Sequence, residues 1–282
     1  MKLGFASFSF PRDTPIETVI ESVAKRGFQG LELSAWRGYQ ADVARLSPPD
    51  WGRIKTLCDQ VGLEIPAIGC HEGYTSPDPA GRAEALERTR GCIDAASRID
   101  VGIVITMSGG LLMGQAFGDA WSLMVPAVAE VVDYASNHGI IVAFEPHIGN
   151  IVDSVETLQG LLREVPSRYL KMNFDASHFA VRGWDVPTLV AKAAEHIVYT
   201  HLKDTRGTVP NYEFLTPGEG DFHIEAFLLA LKQAGYEGYV TTEISGMRSR
   251  KPGYDPQQAL QLSYETVSKA FKEAGLRLPS RD

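Results

Sequence analysis

Cysteine is scarce, basic residues are never clustered and no apolar run is long. Each shortage removes a class of protein. Cys58, Cys70 and Cys92 are odd in number and lack CxxC spacing, so they are expected as buried thiols in a reducing compartment rather than a disulfide framework. Lys and Arg total 27 against 35 Asp and Glu, a formal charge of −8. No basic block is present to neutralise phosphates, so no nucleic-acid partner is expected. No stretch reaches the roughly 20 apolar residues of a membrane span, so no membrane partner is expected either. The opening MKLGFASFSFPRD has one Lys, a short apolar run and no small-residue cleavage site. It reads as a first strand, not a signal peptide, and the default is a cytoplasmic enzyme. Also missing is a glycine-rich phosphate turn after that strand, where SFSFPRDTP stands instead. This disfavours a doubly wound open sheet. What is present is a chain of 282 residues, 44% hydrophobic, long enough to bury a core without disulfide or structural metal.

Short β-rich runs alternate with helical patterns throughout. The strands are expected at Leu3–Phe10, Gly30–Ala35, Glu64–Gly69, Gly102–Met107, Ile140–Glu145, Leu170–Asp175, Ile197–Leu202 and Tyr239–Ile244. Apolar residues at three- and four-residue spacing predict helices over Ile16–Lys25, Trp51–Val61, Arg82–Arg98, Trp121–Asn137, Val155–Arg163, Val186–Ala194, Ile224–Gln233 and Pro256–Glu273. Gly27, Gly62, Gly139 and Gly235 stand at helix-to-strand joints, where a left-handed residue closes a helix. Repeated β-then-α units imply a parallel sheet. With no linker or composition break, residues 1–282 are expected as a single (β/α)8 TIM barrel domain of the α/β class.

Active sites of such barrels lie at the C-terminal ends of the strands. The fifth to eighth expected strands end in AFEPHIG, NFDASHF, YTHLKDTR and TTEIS. Glu145, Asp175, His201 and Glu243 thus each follow an apolar β run, where an unpaired charge is costly. Three carboxylates crowded at one mouth repel one another, and a divalent cation resolves that repulsion. Oxygen-rich ligation with one imidazole suits Mn2+, with Mg2+, Co2+ or Zn2+ as alternatives; the competing reading is a metal-free carboxylate–histidine cluster. Strand alternation gives His147 the parity of Glu145, and Lys203 the parity of His201, so both could face the mouth.

These residues resemble the sugar isomerase/epimerase superfamily of xylose-isomerase-like barrels. The resemblance runs along essentially the whole chain, through EPH at 145–147, DASH at 175–178, HLKD at 201–204, PGEGDF at 217–222 and TEIS at 242–245. It implies that Glu145, Asp175, His201 and Glu243 hold one divalent metal and that Glu145 and Glu243 exchange protons with the substrate carbon. It also implies that His178, Lys203 and Arg206 contact substrate, with His147 expected beside them from its parity, and that the chain assembles as a homo-oligomer or, alternatively, a hetero-oligomer. Two departures narrow the activity. The further glutamate that ketose epimerases carry after the fifth strand is absent from PHIGNIVDS, which has no acid before Asp153. The fourth strand ends ITMSGG, without the metal-binding His of AP endonucleases.

A metal chelating adjacent carbonyl and hydroxyl oxygens acidifies the neighbouring C–H and stabilises an enediolate. Reprotonation gives an epimer or an isomer; loss of a β-substituent gives an elimination. The expected activity is therefore a metal-dependent isomerase or epimerase of a sugar or keto-polyol. The first alternative is a lyase, either a dehydratase or an enzyme cleaving C-glycosides of 3-oxo-sugars. An AP endonuclease-like phosphodiesterase and an inactive sugar-binding barrel stand behind these. Other polar residues have two readings each. His71 could meet substrate or be a structural histidine, and Glu32 could bind a sugar hydroxyl or form a rim salt bridge. Trp36 could stack on a sugar or pack a loop, and Lys203 could anchor a phosphate or a carbonyl, or form an ion pair with Asp204 or another carboxylate. Ser108–Gly110 could offer amides to an anion or be a plain small-residue loop. Asp221 is expected as a helix N-cap and His223 in the first helical turn. His138 and His196 fall at the opposite, stability face.

Overall fold

Gly27, Gly62, Gly139 and Gly235 have φ of +105°, +68°, +69° and +73°, the left-handed turn that stops a helix and releases the chain into the next strand. A computed structural model describes residues 1–278. In chain order, its strands are β1 (Lys2–Ala6), β2 (Gly30–Ser34), β3 (Ile68–Gly69), β4 (Ile103–Thr106), β5 (Ile141–Phe144), β6 (Leu170–Asp175), β7 (Ile197–Leu202), β8 (Asp204–Thr208), β9 (Asn211–Leu215) and β10 (Tyr239–Thr242). Its helices are α1 (Ile16–Arg26), α2 (Pro48–Gln60), α3 (Pro79–Arg98), α4 (Phe117–Asn137), α5 (Val155–Glu164), α6 (Ala176–Ala180), α7 (Val186–Ala193), α8 (Ile224–Gln233), α9 (Gly246–Ser249) and α10 (Pro256–Glu273). Eight strands close a parallel barrel in the order β1-β10-β7-β6-β5-β4-β3-β2, so the eight-unit reading of the sequence holds.

The main core lies between barrel and helices, with residues such as Phe28, Ile54, Val128, Phe174, Leu228 and Phe271 buried there. A smaller cluster of Ala67, Ile105, Ala143, Tyr199 and Tyr239 fills the barrel itself. Large rings fit there because their neighbours are small. A Cβ on Gly30 would stand 2.4 Å from the Tyr239 ring, so glycine at that β2 position makes room for the ring.

Three expected elements change. The first strand stops at Ala6 and turns through a 3-10 segment, Ser7–Ser9. There, the Ser7 and Ser9 hydroxyls accept the Ser34 and Ile244 backbone N–H groups at 2.8 and 2.9 Å. The third strand shrinks from 64–69 to Ile68–Gly69, with one bridge between Gly30 and Glu64, because Pro66 has no N–H to give to a ladder. Asp221 does not cap α8. His223 holds the N-cap position, with no side-chain cap, and Asp221 instead lies 3.6 Å from Arg206. The antiparallel hairpin β8–β9 follows β7 and was not expected.

The three cysteines are free and buried, and burial pushes the Cys58 thiol up to about 12, which keeps it protonated and inert. Among the described residues, no helix is long and apolar enough to cross a membrane.

Candidate metal and catalytic site

Four neighbouring strands deliver the charged residues to one place. Glu145 follows β5 directly, Asp175 ends β6, His201 lies on β7 and Glu243 follows β10. Asp175 and His201 are ladder partners. Glu145, Asp175 and His201 are essentially inaccessible and Glu243 is 8% exposed. One ligand atom each from Asp175, His201 and Glu243 lies within 4.8 Å of the others. His201 Nδ1 stands 3.2 Å from Glu243 Oε2 and 3.4 Å from Glu145 Oε2. Three buried carboxylates and one imidazole nitrogen, with no thiolate, form a donor set that fits a hard or borderline divalent cation.

Lys203 pairs with other carboxylates rather than with Asp204, as one of its readings from sequence allowed. Its ammonium bonds Asp175 Oδ2 and lies 3.3 Å from Glu243 Oε2. Asp204 is fully engaged by backbone. Its two carboxylate oxygens accept the amides of Thr205, Gly218, Gly220 and Phe222 at 2.8–3.0 Å. HLKD and PGEGDF are therefore two halves of one clip.

Burial and charge oppose each other across the cluster. Burial would raise the Glu145 carboxyl, but His178, His201 and His71 beside it bring it well below the usual range. Burial would likewise raise Asp175, and the Lys203 and His178 charges outweigh it and bring it down. For Lys203, burial is overcome by Asp175, Glu243 and Glu145, which raise its pKa. For His201, burial is overcome first by Glu32, then by Glu145, and its pKa rises.

Around these four stand further polar groups. His201 Nε2 donates to Glu32 Oε2 at 2.6 Å. Asn173 Nδ2 donates to Glu145 Oε2 at 2.9 Å and lies 3.0 Å from His201 Nδ1. His71 sits at φ +49°, a left-handed conformation unusual for a non-glycine residue. Its Nδ1 accepts the Trp36 indole N–H at 2.7 Å, so Nε2 carries the proton and donates to Glu145 Oε2 at 3.1 Å. His178 Nε2 lies 3.3 Å from both Glu145 Oε1 and Asp175 Oδ2. Its ring faces that of His147, with centroids 3.9 Å apart. His147 is pushed down to about 3 by burial and by the neighbouring His178. Its Nδ1 turns to the Ile148 carbonyl.

Glu145, Asp175, His201, Glu243, His71, His147, His178 and Lys203 are thus brought together. Arg206 is not: it is exposed on β8, bonding the Glu219 carbonyl and facing Asp221. Ser108–Gly110 fastens loops, since the Ser108 hydroxyl accepts Val152 N–H and the Gly110 carbonyl accepts the Thr75 hydroxyl. Trp36 packs against Phe8 and Tyr39. His138 and His196 stay with Tyr134, Asp94 and Glu195, away from the cluster. One member, Asn173, was missed from sequence, and Glu32 was expected only as a sugar-hydroxyl contact or a rim salt bridge. Glu32 lies inside the barrel mouth, not on its rim. Asn173 shares the parity of Asp175, a signal that alternation could have supplied.

The chain is similar to an inosose dehydratase from Geobacillus thermodenitrificans, 23% identical over 86% of this chain and 89% of that protein. It is similar to a fructoselysine 3-epimerase from Shigella flexneri, 25% identical over 93% of this chain and 96% of that protein. Among solved structures it superposes on the IolI protein with a bound zinc atom at a TM-score of 0.81, with 19% identity over 97% of this chain and 99% of that one. A family model described as a xylose isomerase-like TIM barrel matches residues 20–278, and the chain belongs to that family.

Proposed function

We propose that this protein is a divalent-metal-dependent isomerase or epimerase of a sugar or keto-polyol. Glu145, Asp175, His201 and Glu243 are its metal ligands in this reading, with Glu145 and Glu243 as the acid/base pair. The observation that carries it is the buried convergence of Asp175, His201 and Glu243 within 4.8 Å at the C-terminal mouth, with Glu145 beside His201. Relatives that are an epimerase and a dehydratase by name support it. A bound cation, Mn2+ in this proposal with Mg2+, Co2+ or Zn2+ as alternatives, would supply Lewis-acid polarisation of adjacent substrate oxygens.

The chain's own residues do the rest. Glu145 takes the proton from the carbon next to the carbonyl. Glu243, three strands away around the barrel and the most accessible of the four, delivers a proton exchanged with solvent from the other side. Glu145 is held deprotonated by its three histidines, so proximity rather than basicity makes it effective. Lys203 brings a fixed positive charge toward the oxygens where negative charge develops. His147, His178 and His71 contact substrate oxygens. His147 does so as a neutral ring with Nε2 free of the Ile148 carbonyl.

A second reading, a dehydratase or a lyase acting on 3-oxo-sugars, shares the first proton removal. The placement of the Lys203 ammonium against Asp175 and Glu243 favours it, because that positive charge can stabilise a departing oxygen. The test is metal analysis of protein purified without chelator, followed by incubation of ketoses and 3-oxo-sugars in D2O. Stoichiometric metal and deuterium incorporation without loss of a group are expected. Release of water or an aglycone selects the lyase. Protein without metal and without activation by Mn2+ overturns both readings. Glu243→Gln should abolish activity with the fold intact.

A further inference from the structure

We propose that Glu32 is a positioning residue of the metal centre, holding the ring of His201 from across the barrel so that Nδ1 is the nitrogen presented to the cation. The inference rests on the metal-binding reading above and adds a residue to it. An imidazole has two nitrogens, and the partner of one decides what the other can do. His201 Nε2 donates to Glu32 Oε2 at 2.6 Å. That leaves Nδ1 among Glu243 Oε2 at 3.2 Å, Glu145 Oε2 at 3.4 Å and Asn173 Nδ2 at 3.0 Å. The ring is therefore aimed before any ligand arrives.

The contact is built, not incidental. Glu32 is on β2 and His201 on β7, with β1 and β10 between them in the barrel order. Only a side chain crossing the interior can join them. Both are buried, Glu32 to 1% exposure, and an isolated carboxylate at that depth would be costly. Its ion-pair partner is His201. The strand beside it leaves the space: a Cβ on Gly69 would stand 2.9 Å from Glu32 Oε1. A carboxylate on the far nitrogen of a metal-bound histidine fixes the tautomer and raises the ligand's basicity, and its loss weakens metal binding by about ten- to a hundredfold.

The experiment measures Zn2+ affinity by chelator competition for the wild type, Glu32→Leu, Glu32→Gln, His201→Asn and the double variant Glu32→Gln/His201→Asn. Glu32→Leu should weaken Zn2+ binding about ten- to a hundredfold. Glu32→Gln keeps an oxygen acceptor for Nε2–H and should fall between it and the wild type; it also serves if Glu32→Leu does not fold. In the His201→Asn background, Glu32→Gln should have no further effect, because Glu32 acts through His201. Nitrogen-15 spectra of histidine-labelled, Zn2+-loaded protein should show His201 protonated at Nε2 in the wild type. Unchanged affinity in both Glu32 variants overturns the proposal. So does an equal Glu32→Gln loss with and without His201, which would mark a general structural role. Wild-type protein that binds no Zn2+ overturns the metal reading itself, and this inference with it.

Discussion

Replacing Asp204 by Asn should cost far more than its conservative chemistry implies. Asp204 is 2% exposed. Its Oδ1 accepts Thr205 N–H at 2.8 Å and Phe222 N–H at 3.0 Å, and its Oδ2 accepts Gly218 and Gly220 N–H at 2.9 Å each. Each oxygen serves two amides, so whichever way an asparagine turns, its NH2 faces two N–H donors. Two charge-assisted bonds are lost, at about 1.5–3 kcal/mol each, giving about 3–6 kcal/mol. Against a total stability of about 5–15 kcal/mol that is a large fraction. At about 2–4 °C per kcal/mol for a chain approaching this size, the melting temperature should fall by about 6–24 °C. Urea denaturation and thermal melts followed by circular dichroism at neutral pH measure it. The same loop carries Glu219, which grips Arg248 through two bonds at 2.7 and 2.8 Å, and Arg248 lies in the segment after Glu243. Loosening the clip should therefore also reduce turnover. A variant melting within about 2 °C of the wild type would refute the claim that Asp204 fastens the loop.

Three further outcomes are expected. Gly110→Ala should destabilise by about 1–3 kcal/mol in urea, because its Cβ would meet the Gly149 carbonyl oxygen at 2.7 Å and backbone cannot step aside cheaply; an unchanged midpoint would show that the loop gives. Metal-free protein should lose stability as pH falls from about 6.5 toward 3 through His147. The unfolded chain takes a proton there that the folded ring, pushed down to about 3, refuses. The loss is on the order of 4 kcal/mol, and His147→Gln should flatten that limb of the curve; an unflattened limb assigns it to other groups. Trp36→Phe removes the indole donor to His71 Nδ1 and frees the other tautomer. A lost bond of about 1 kcal/mol should lower turnover about fivefold, and full activity would remove Trp36 as the device that sets His71.

How much of this was legible from sequence follows the geometry of a barrel. Each strand announces itself by its own apolar run, and its last polar residue sits at the mouth, so Glu145, Asp175, His201 and Glu243 could be picked without knowing any contact. Glu32 could not. Its partner is 169 positions away, and they meet only because closure puts β1 and β10 between β2 and β7. Read along the chain, a glutamate in GLELS looks like a rim charge or a contact for a sugar hydroxyl. The hairpin β8–β9 was missed for a different reason: after the strong strand ending in HLKD, the run TRGTVPNYEFL has charges and a proline that mask its pairing. The motifs themselves divide their labour. In HLKD, His201 points at the carboxylates and Lys203 balances their charge, whereas Asp204 turns away and fastens the PGEGDF loop. Such a tetrapeptide combines a site residue with the clip that keeps the site's wall in place. The two roles are separable in experiment: loss of Asp204 should appear first in stability, and loss of Lys203 first in the charge balance around Asp175 and Glu243.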